Sequence, residues 1–432
     1  MNLGDDRWGE RPAPAVVIGL DCITGLQTAR ILSARGVPVV GVTSRARHWA
    51  TRTRACDEVV TSPMSGDALS DTLTTLARRR PGPAVLVPCT DEAVHHLSAH
   101  RADLPEELVL PVAEHVTVDL LMDKVQFAEH ARRHGLPVPR TEVLRSRADA
   151  ELAADHVTYP CVLKPPVKAP AWLAHTQVKA FSVRDPQDLL RRYDEVAGWA
   201  PELLLQEWVQ GGEDALISCN AYFGRGGEAL ATFVARKVRQ WPPSVGTSAS
   251  GEECRDDEVL DLTVRLFGDV AFRGLAYLEV KRDSRTGAMR IIEPNVGRPT
   301  GRSAIAEAGG VELVMTAYCD ALGLPLPVKR EQHYGSARWC DVRRDAQAAV
   351  VARRRGELTV RQWVGWMRGP KAHAIWAADD PAPFVADVAA AAMTGARAVL
   401  SRRRAAPAEQ PGPTRRNVPD PTPVVGARGG GS

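Results

Sequence analysis

Two acids lie fourteen residues apart in "YLEVKRDSRTGAMRIIEPN", Glu279 and Glu293, each inside a run that otherwise reads as a strand. Between them "SRTG" offers a three-residue loop, Arg285 to Gly287, with Gly287 in the left-handed conformation that commonly closes a hairpin. Pairing centred on Thr286 sets Glu279 opposite Glu293, with Cβ atoms roughly 5 Å apart on one face. Asn295, two residues further, projects from that same face. Opposed like charges destabilise a sheet, and desolvation makes matters worse. A hard divalent cation wants these oxygen ligands, and Mg²⁺ completes its shell with water and phosphate. The competing reading is a solvated hairpin whose acids pair with Lys281, Arg290 or Arg298. A one-residue bulge would spoil the register.

Other stretches could complete such a site. Lys124 sits on a helix, in "LMDKVQF", and Lys164 closes the apolar strand "CVLKPP". A lysine there needs a partner, and phosphate oxygens suit a point charge. "LLLQEWVQGGED" is a strand with free backbone donors and acceptors, then Glu213 and Asp214 after two glycines. Its acids could take ribose hydroxyls, and the chain from Glu207 to Val209 could read an adenine edge. Arg236, Lys237 and Arg239 in "ARKVRQWPP" are basic residues that could be solvated or bind phosphate. Asp91, in "PCTDE", could face a substrate or N-cap its helix, and the cap is the favoured reading.

These residues need a scaffold. "PAVVIGL", "TGLQTARILSARG" and "VPVVGVTS" form a βαβ unit, and "PAVLVPCTDEAVHHL" repeats the strand–loop–helix pattern. "GLDCITG" lacks the GxGxxG fingerprint of dinucleotide binding. From Val116 an amphipathic helix, "VTVDLLMDKVQFAEHARRHG", closes at Gly135. Mixed strands and helices follow, so the class is α/β and α+β. Beyond Pro327 the chain reads as helical, and Trp339, Trp363 and Trp366, which could form an interaction surface, read at helical spacing as core instead. From Ala405 the Pro-, Gly- and Arg-rich residues cannot bury enough apolar area to fold. A chain of 432 residues implies two or three domains. Its 55 basic and 52 acidic residues leave a charge of only +3, no footprint for nucleic acid. The eight dispersed cysteines argue for reduced thiols rather than disulfides or zinc. No apolar run approaches a membrane span, and the N-terminus is no signal peptide, so the expected compartment is the cytoplasm.

In their order, Lys124, Lys164, "QEWVQGGED" and "LEVKRD…IIEPN" resemble the ATP-grasp superfamily across roughly Pro14 to Pro327. "YGSARWCDVRRD", "RRRGELTVRQW" and "DDPAPF" resemble its carboxylate–amine ligase branch, D-aspartate-ligase-like enzymes included. The resemblance implies a Rossmann-like pre-ATP-grasp domain at 1–113 and a two-lobed ATP-grasp domain at 114–327, with a lid at about 141–234. A helical C-terminal region at 328–404 and a disordered tail at 405–432 complete the expected layout. It implies ATP and Mg²⁺ (or Mn²⁺), with Lys124 and Lys164 on phosphates. Gln206, Glu207, Trp208 and Val209 would form the adenine hinge, Glu213 the ribose contact with Asp214 as its alternative, and Glu279, Glu293 and Asn295 the metal ligands. The motif arginine is displaced to Arg298, with Arg302 as substitute, and both join Lys237 as catalytic candidates, with Arg236 and Arg239 as further contacts for a substrate carboxylate. The phosphate-covering loop lacks glycine, so Lys168, His175 or Lys179 would stand in. The implied reaction joins a small carboxylate to an amine (amino acid, peptide or natural-product intermediate) through an acyl phosphate, with ADP and phosphate released. No nucleic acid or membrane partner is expected, and a homodimer is compatible. The rivals are a biotin-carboxylase-like carboxylase and a non-catalytic nucleotide-binding module.

Overall fold

The computed structural model describes residues 12–80, 82–166, 170–176, 178, 180–243, 246–301 and 303–404. Short β-branched runs alternate with helices at the start: β1 (Ala15–Ile18), α1 (Ile23–Ser33), β2 (Val39–Thr43), β3 (Glu58–Thr61), α2 (Asp67–Arg79), β4 (Ala84–Pro88), α3 (Asp91–Ala99) and β5 (Leu108–Val109). These strands form a parallel sheet in the order β3-β2-β1-β4-β5, the Rossmann-like arrangement that the βαβ pattern predicts. Continuous apolar strands such as Ala84–Pro88, buried throughout, suit a sheet covered on both faces.

The helix predicted from Val116 to Gly135 is two helices, α4 (His115–Met122) and α5 (Lys124–Arg133). Asp123 breaks it: its backbone leaves the helical region, and Oδ1 accepts from Val125 N and Gln126 N at 2.8 Å each. An Asp favours capping over helix interiors because its short side chain competes for backbone donors. Lys124 therefore opens a helix rather than riding on the side of one.

Next come β6 (Thr141–Leu144), α6 (Arg147–Ala154), β7 (Cys161–Lys164), α7 (Pro170–His175), β8 (Phe181–Val183), α8 (Pro186–Val196) and β9 (Leu203–Glu207). Their strands make an antiparallel sheet, β6-β9-β7-β8, with its own core around Leu163, Trp172, Leu189 and Leu205. The chain then builds β10 (Leu216–Phe223), β11 (Ala229–Trp241), β12 (Thr247–Glu253), α9 (Asp257–Asp269), β13 (Gly274–Arg282) and β14 (Met289–Val296). It finishes with α10 (Ser303–Ala308), α11 (Leu313–Leu322), β15 (Arg338–Cys340), α12 (Val342–Arg354), α13 (Val360–Met367), β16 (Ala372–His373) and α14 (Ala382–Arg404).

β10 to β16 form one seven-stranded sheet, β14-β13-β10-β11-β12-β15-β16. The segment 216–234, expected within the lid, thus lies in this larger sheet. The C-terminal region is likewise not purely helical, since β15 and β16 extend the sheet. Trp339, read as helical, is a buried strand residue, whereas Trp363 and Trp366 are only partly buried. One core spans the parallel sheet and the large sheet, joining Val16 and Leu86 to Leu278 and Ile291. The described residues up to Ala386 cluster as one compact unit, and the continuation of α14 beyond it forms a second. The residues from 405 on, expected to be disordered, lie outside the described ones. No described helix is long and apolar enough to cross a membrane, and all eight cysteines are free thiols.

Candidate functional site

The hairpin reaches the expected pairing by an unexpected route. Glu279 does oppose Glu293, and Tyr277 opposes Asn295. Nearer the turn, however, Val280 meets Ile291 and Lys281 meets Arg290, one residue out of the centred register. Asp283 N donates to Ala288 O at 2.9 Å, so the loop holds four residues, Ser284 to Gly287. Gly287 takes φ +71°, the left-handed conformation foreseen for it. A bulge at Ile292 then absorbs the extra residue and restores the acids to register.

These strands form one wall of an open cleft of about 1050 Å³. Glu279, Glu293, Asn295, Lys237 and Lys281 of the large sheet line it, together with Lys124 and Arg298. Lys164, Gln206 and Glu207 line it from the small sheet, and Trp208 and Val209 from the connection that follows. Twelve dispersed residues, 124 to 298, are brought together here.

Buried charges need partners, and the partners explain the electrostatics. Lys164 Nζ donates to Gln206 Oε1 at 2.9 Å, and Gln206 Nε2 donates to Thr141 Oγ1 at 3.0 Å. Burial pushes the Lys164 ammonium down to about 8; the Glu293 carboxylate opposes that shift and the like charge of Lys124 adds to it. Lys237, 3 % exposed, stands 3.5 Å from Glu279 Oε2, which also accepts from Tyr277 OH at 2.9 Å. Lys281 lies over the Trp208 ring, 5.2 Å from its centroid, and is lowered by burial and then by Lys237. The exposed Glu293 carboxylate has no hydrogen-bond or ion-pair partner among the described residues, although its charge acts on Lys164.

Several expectations need correction. Asp91 is not the cap: Thr90 caps α3, accepting from Ala93 N at 3.2 Å. Asp91 Oδ1 instead accepts from Arg298 Nε at 2.5 Å, and Arg298 Nη2 donates to Asn295 Oδ1 at 2.9 Å. Arg298 is thus on the wall but already engaged, and it occupies one lone pair of the amide oxygen assigned to metal. Glu213 and Asp214 are not among the residues lining the cleft, but the Glu213 carboxylate accepts from N of the lining Gln240 at 2.8 Å and its charge acts on the lining Lys281, so the ribose contact is a proposal. Arg302, Lys168 and Lys179 lie outside the described residues. Tyr277, Arg343 and Arg344 also line the cleft and went unnoticed in the sequence. Period-2 alternation from Glu279 would have found Tyr277. No local signal marks the two arginines, which open α12 and reach the cleft only because β15 joins the sheet.

The donor set is hard: two carboxylates and an amide oxygen, with the Glu293 oxygens uncommitted. It fits an oxygen-seeking divalent ion. The surrounding lysines fit a polyanion that such an ion would accompany.

No family model matches the chain. Among curated proteins it is 23% identical over 233 residues to the D-aspartate ligase of Enterococcus faecium, covering 51% of this chain and 54% of the relative. It is 26% identical over 227 residues to the D-alanine–D-alanine ligase of Ectopseudomonas mendocina, covering 47% and 66%. The match thus spans about half of the first relative. Among solved structures, the biotin carboxylase domain of Hydrogenobacter thermophilus 2-oxoglutarate carboxylase, in complex with MgADP and bicarbonate, aligns with a TM-score of 0.57 at 16% identity over 73% of this chain and 71% of that one. N5-carboxyaminoimidazole synthetase from Staphylococcus aureus aligns with a TM-score of 0.57 at 14% identity, over 74% and 80%.

Proposed function

With the ATP-grasp fold and sequence kinship to carboxylate–amine ligases as premise, we propose that this chain activates a carboxylate with ATP and joins it to an amine. The observation that carries the reading is the Glu279–Glu293 pair, set beside Lys164 and Lys124 in one cleft. Such a wall is costly by itself and becomes favourable when a cation and a polyanion enter together.

In this reading the segment Glu207 to Val209 receives adenine, while Lys124 and Lys164 take phosphate oxygens. Glu279, Glu293 and Asn295 would hold Mg²⁺, which supplies charge neutralisation between phosphate oxygens when bound. Lys237 holds the Glu279 carboxylate in place. Arg298 orients the acceptor carboxylate, with Arg343 and Arg344, which line the same cleft, as further candidates. One carboxylate oxygen attacks the γ-phosphorus and ADP departs; the amine then attacks the acyl carbon and phosphate leaves. The residues contribute mainly alignment and a fixed electrostatic environment. The domain limits proposed are 1–113, 114–327 and 328–404.

The test is an ADP-release screen of pooled carboxylates crossed with pooled amines, with masses measured for any conjugate. ADP release that needs Mg²⁺, one acid and one amine supports the proposal. Release driven by bicarbonate without an amine would support a carboxylase instead, and ATP binding without any release would support a silent nucleotide-binding module.

A further inference from the structure

Away from the cleft, His95 of α3 meets His115 and Asp119 of α4. Each can offer one ligand atom, and the three atoms lie within 4.8 Å of one another. His95 Nε2 stands 3.6 Å from Asp119 Oδ1. Ligands bound tetrahedrally at ~2.0–2.1 Å lie roughly 3.3–3.4 Å apart, so this pair already has the required bite. The third atom must close by up to about 1.5 Å on the same geometry, and the His95 side chain is 53% exposed and able to turn.

Neighbouring groups contact two of the three ligands and are compatible with their binding forms. The buried Ser98 spends its hydroxyl proton on His95 O at 3.0 Å. Donation there lets its oxygen accept at the His115 Nδ1 contact of 3.0 Å, the arrangement in which Nδ1 carries the hydrogen and Nε2 keeps a lone pair for a metal. Gln126 Nε2 donates to Asp119 Oδ2 at 2.7 Å, leaving Oδ1 towards His95. Bound metals are supported by outer hydrogen bonds of this kind.

We propose that His95, His115 and Asp119 bind a borderline divalent ion of the Zn²⁺ class. Two imidazoles and one carboxylate favour such an ion over Mg²⁺, so the site is chemically distinct from the oxygen-lined cleft. The ion ties α3 to α4. Asp91, the first residue of α3, holds Arg298 in the cleft, and α4 leads through Asp123 to Lys124. Both supports stiffen without any contact to the reacting groups.

The experiment titrates chelator-stripped full-length chain with Zn²⁺ by calorimetry, without nucleotide, and records Cu²⁺ electron paramagnetic resonance. One ion per chain, two coupled nitrogens and a raised melting temperature are expected. His115→Ala should abolish tight binding, and Gln126→Ala should weaken it about 10- to 100-fold. His95→Asn, at an exposed position, repeats the test should His115→Ala fail to fold. The stacked pair His130 and His134 is the control: replacing both should leave binding unchanged. Loss of binding in that control, or wild-type affinity no tighter than millimolar, would overturn the proposal.

Discussion

Glu293 is an exposed acid beside two lysines, and its proposed role as a metal ligand is the most demanding in the cleft. Glu293→Gln keeps the shape and removes the charge, so turnover should fall at least ~100-fold, as for loss of a group that stabilises transition-state charge. Stability should stay within ~0.5 kcal/mol, as for a surface change; undiminished turnover would refute the metal role. The same variant should lower the Lys164 pKa further, because the Glu293 carboxylate opposes the present shift. Lys164 itself gives a pH prediction. Its folded pKa of about 8 lies below the usual lysine value of 10.5, so between these limits the unfolded chain binds more protons. Stability therefore rises with pH through that window by at most roughly 3 kcal/mol and is flat with respect to this group below it. Nucleotide affinity should move the opposite way, falling above pH 8 as the ammonium deprotonates. A titration of ATP affinity in wild type and Lys164→Met checks this: the variant should be weak and lack that fall.

At the scale of elements, Gly297 links β14 to Arg298. It takes φ +73°, and an added Cβ would lie 2.6 Å from Val94 Cγ1. Gly297→Ala combines left-handed strain with overpacking against α3, so it should cost about 2–4 kcal/mol in chemical denaturation. A change below about 0.5 kcal/mol would contradict the close approach. The hairpin shows what a sequence can disclose. Strand alternation and Gly287 were enough to place Glu279 opposite Glu293. The four-residue loop and the bulge at Ile292 were illegible, because each shifts the register by one and together they cancel. β15 escaped notice because three residues carry too little period to separate strand from loop. The Asp123 break was legible in principle, since Asp is a poor helix-interior residue and a good cap.

Across the whole molecule, the parallel and large sheets share a core while the small sheet has its own. The cleft lies between the latter two, lined by Lys164 and Gln206 on one side and Glu279 and Glu293 on the other. A ligand that bridges them should stabilise both. At a hundred times its dissociation constant, MgATP should add ~2.7 kcal/mol. Hydrogen exchange should slow in β7 and β9 only when ATP and Mg²⁺ are both present; equal protection by ATP with chelator would contradict the bridging. The proposed carboxylate contacts of Arg343 and Arg344 were not legible, because these residues reach the cleft through tertiary placement alone. Once the screen yields a substrate pair, the decisive measurement uses the acid labelled with heavy oxygen in its carboxylate. Activation through an acyl phosphate predicts one labelled oxygen in the phosphate released per turnover. Phosphate released without label, while the amide product forms, would contradict the account at its centre.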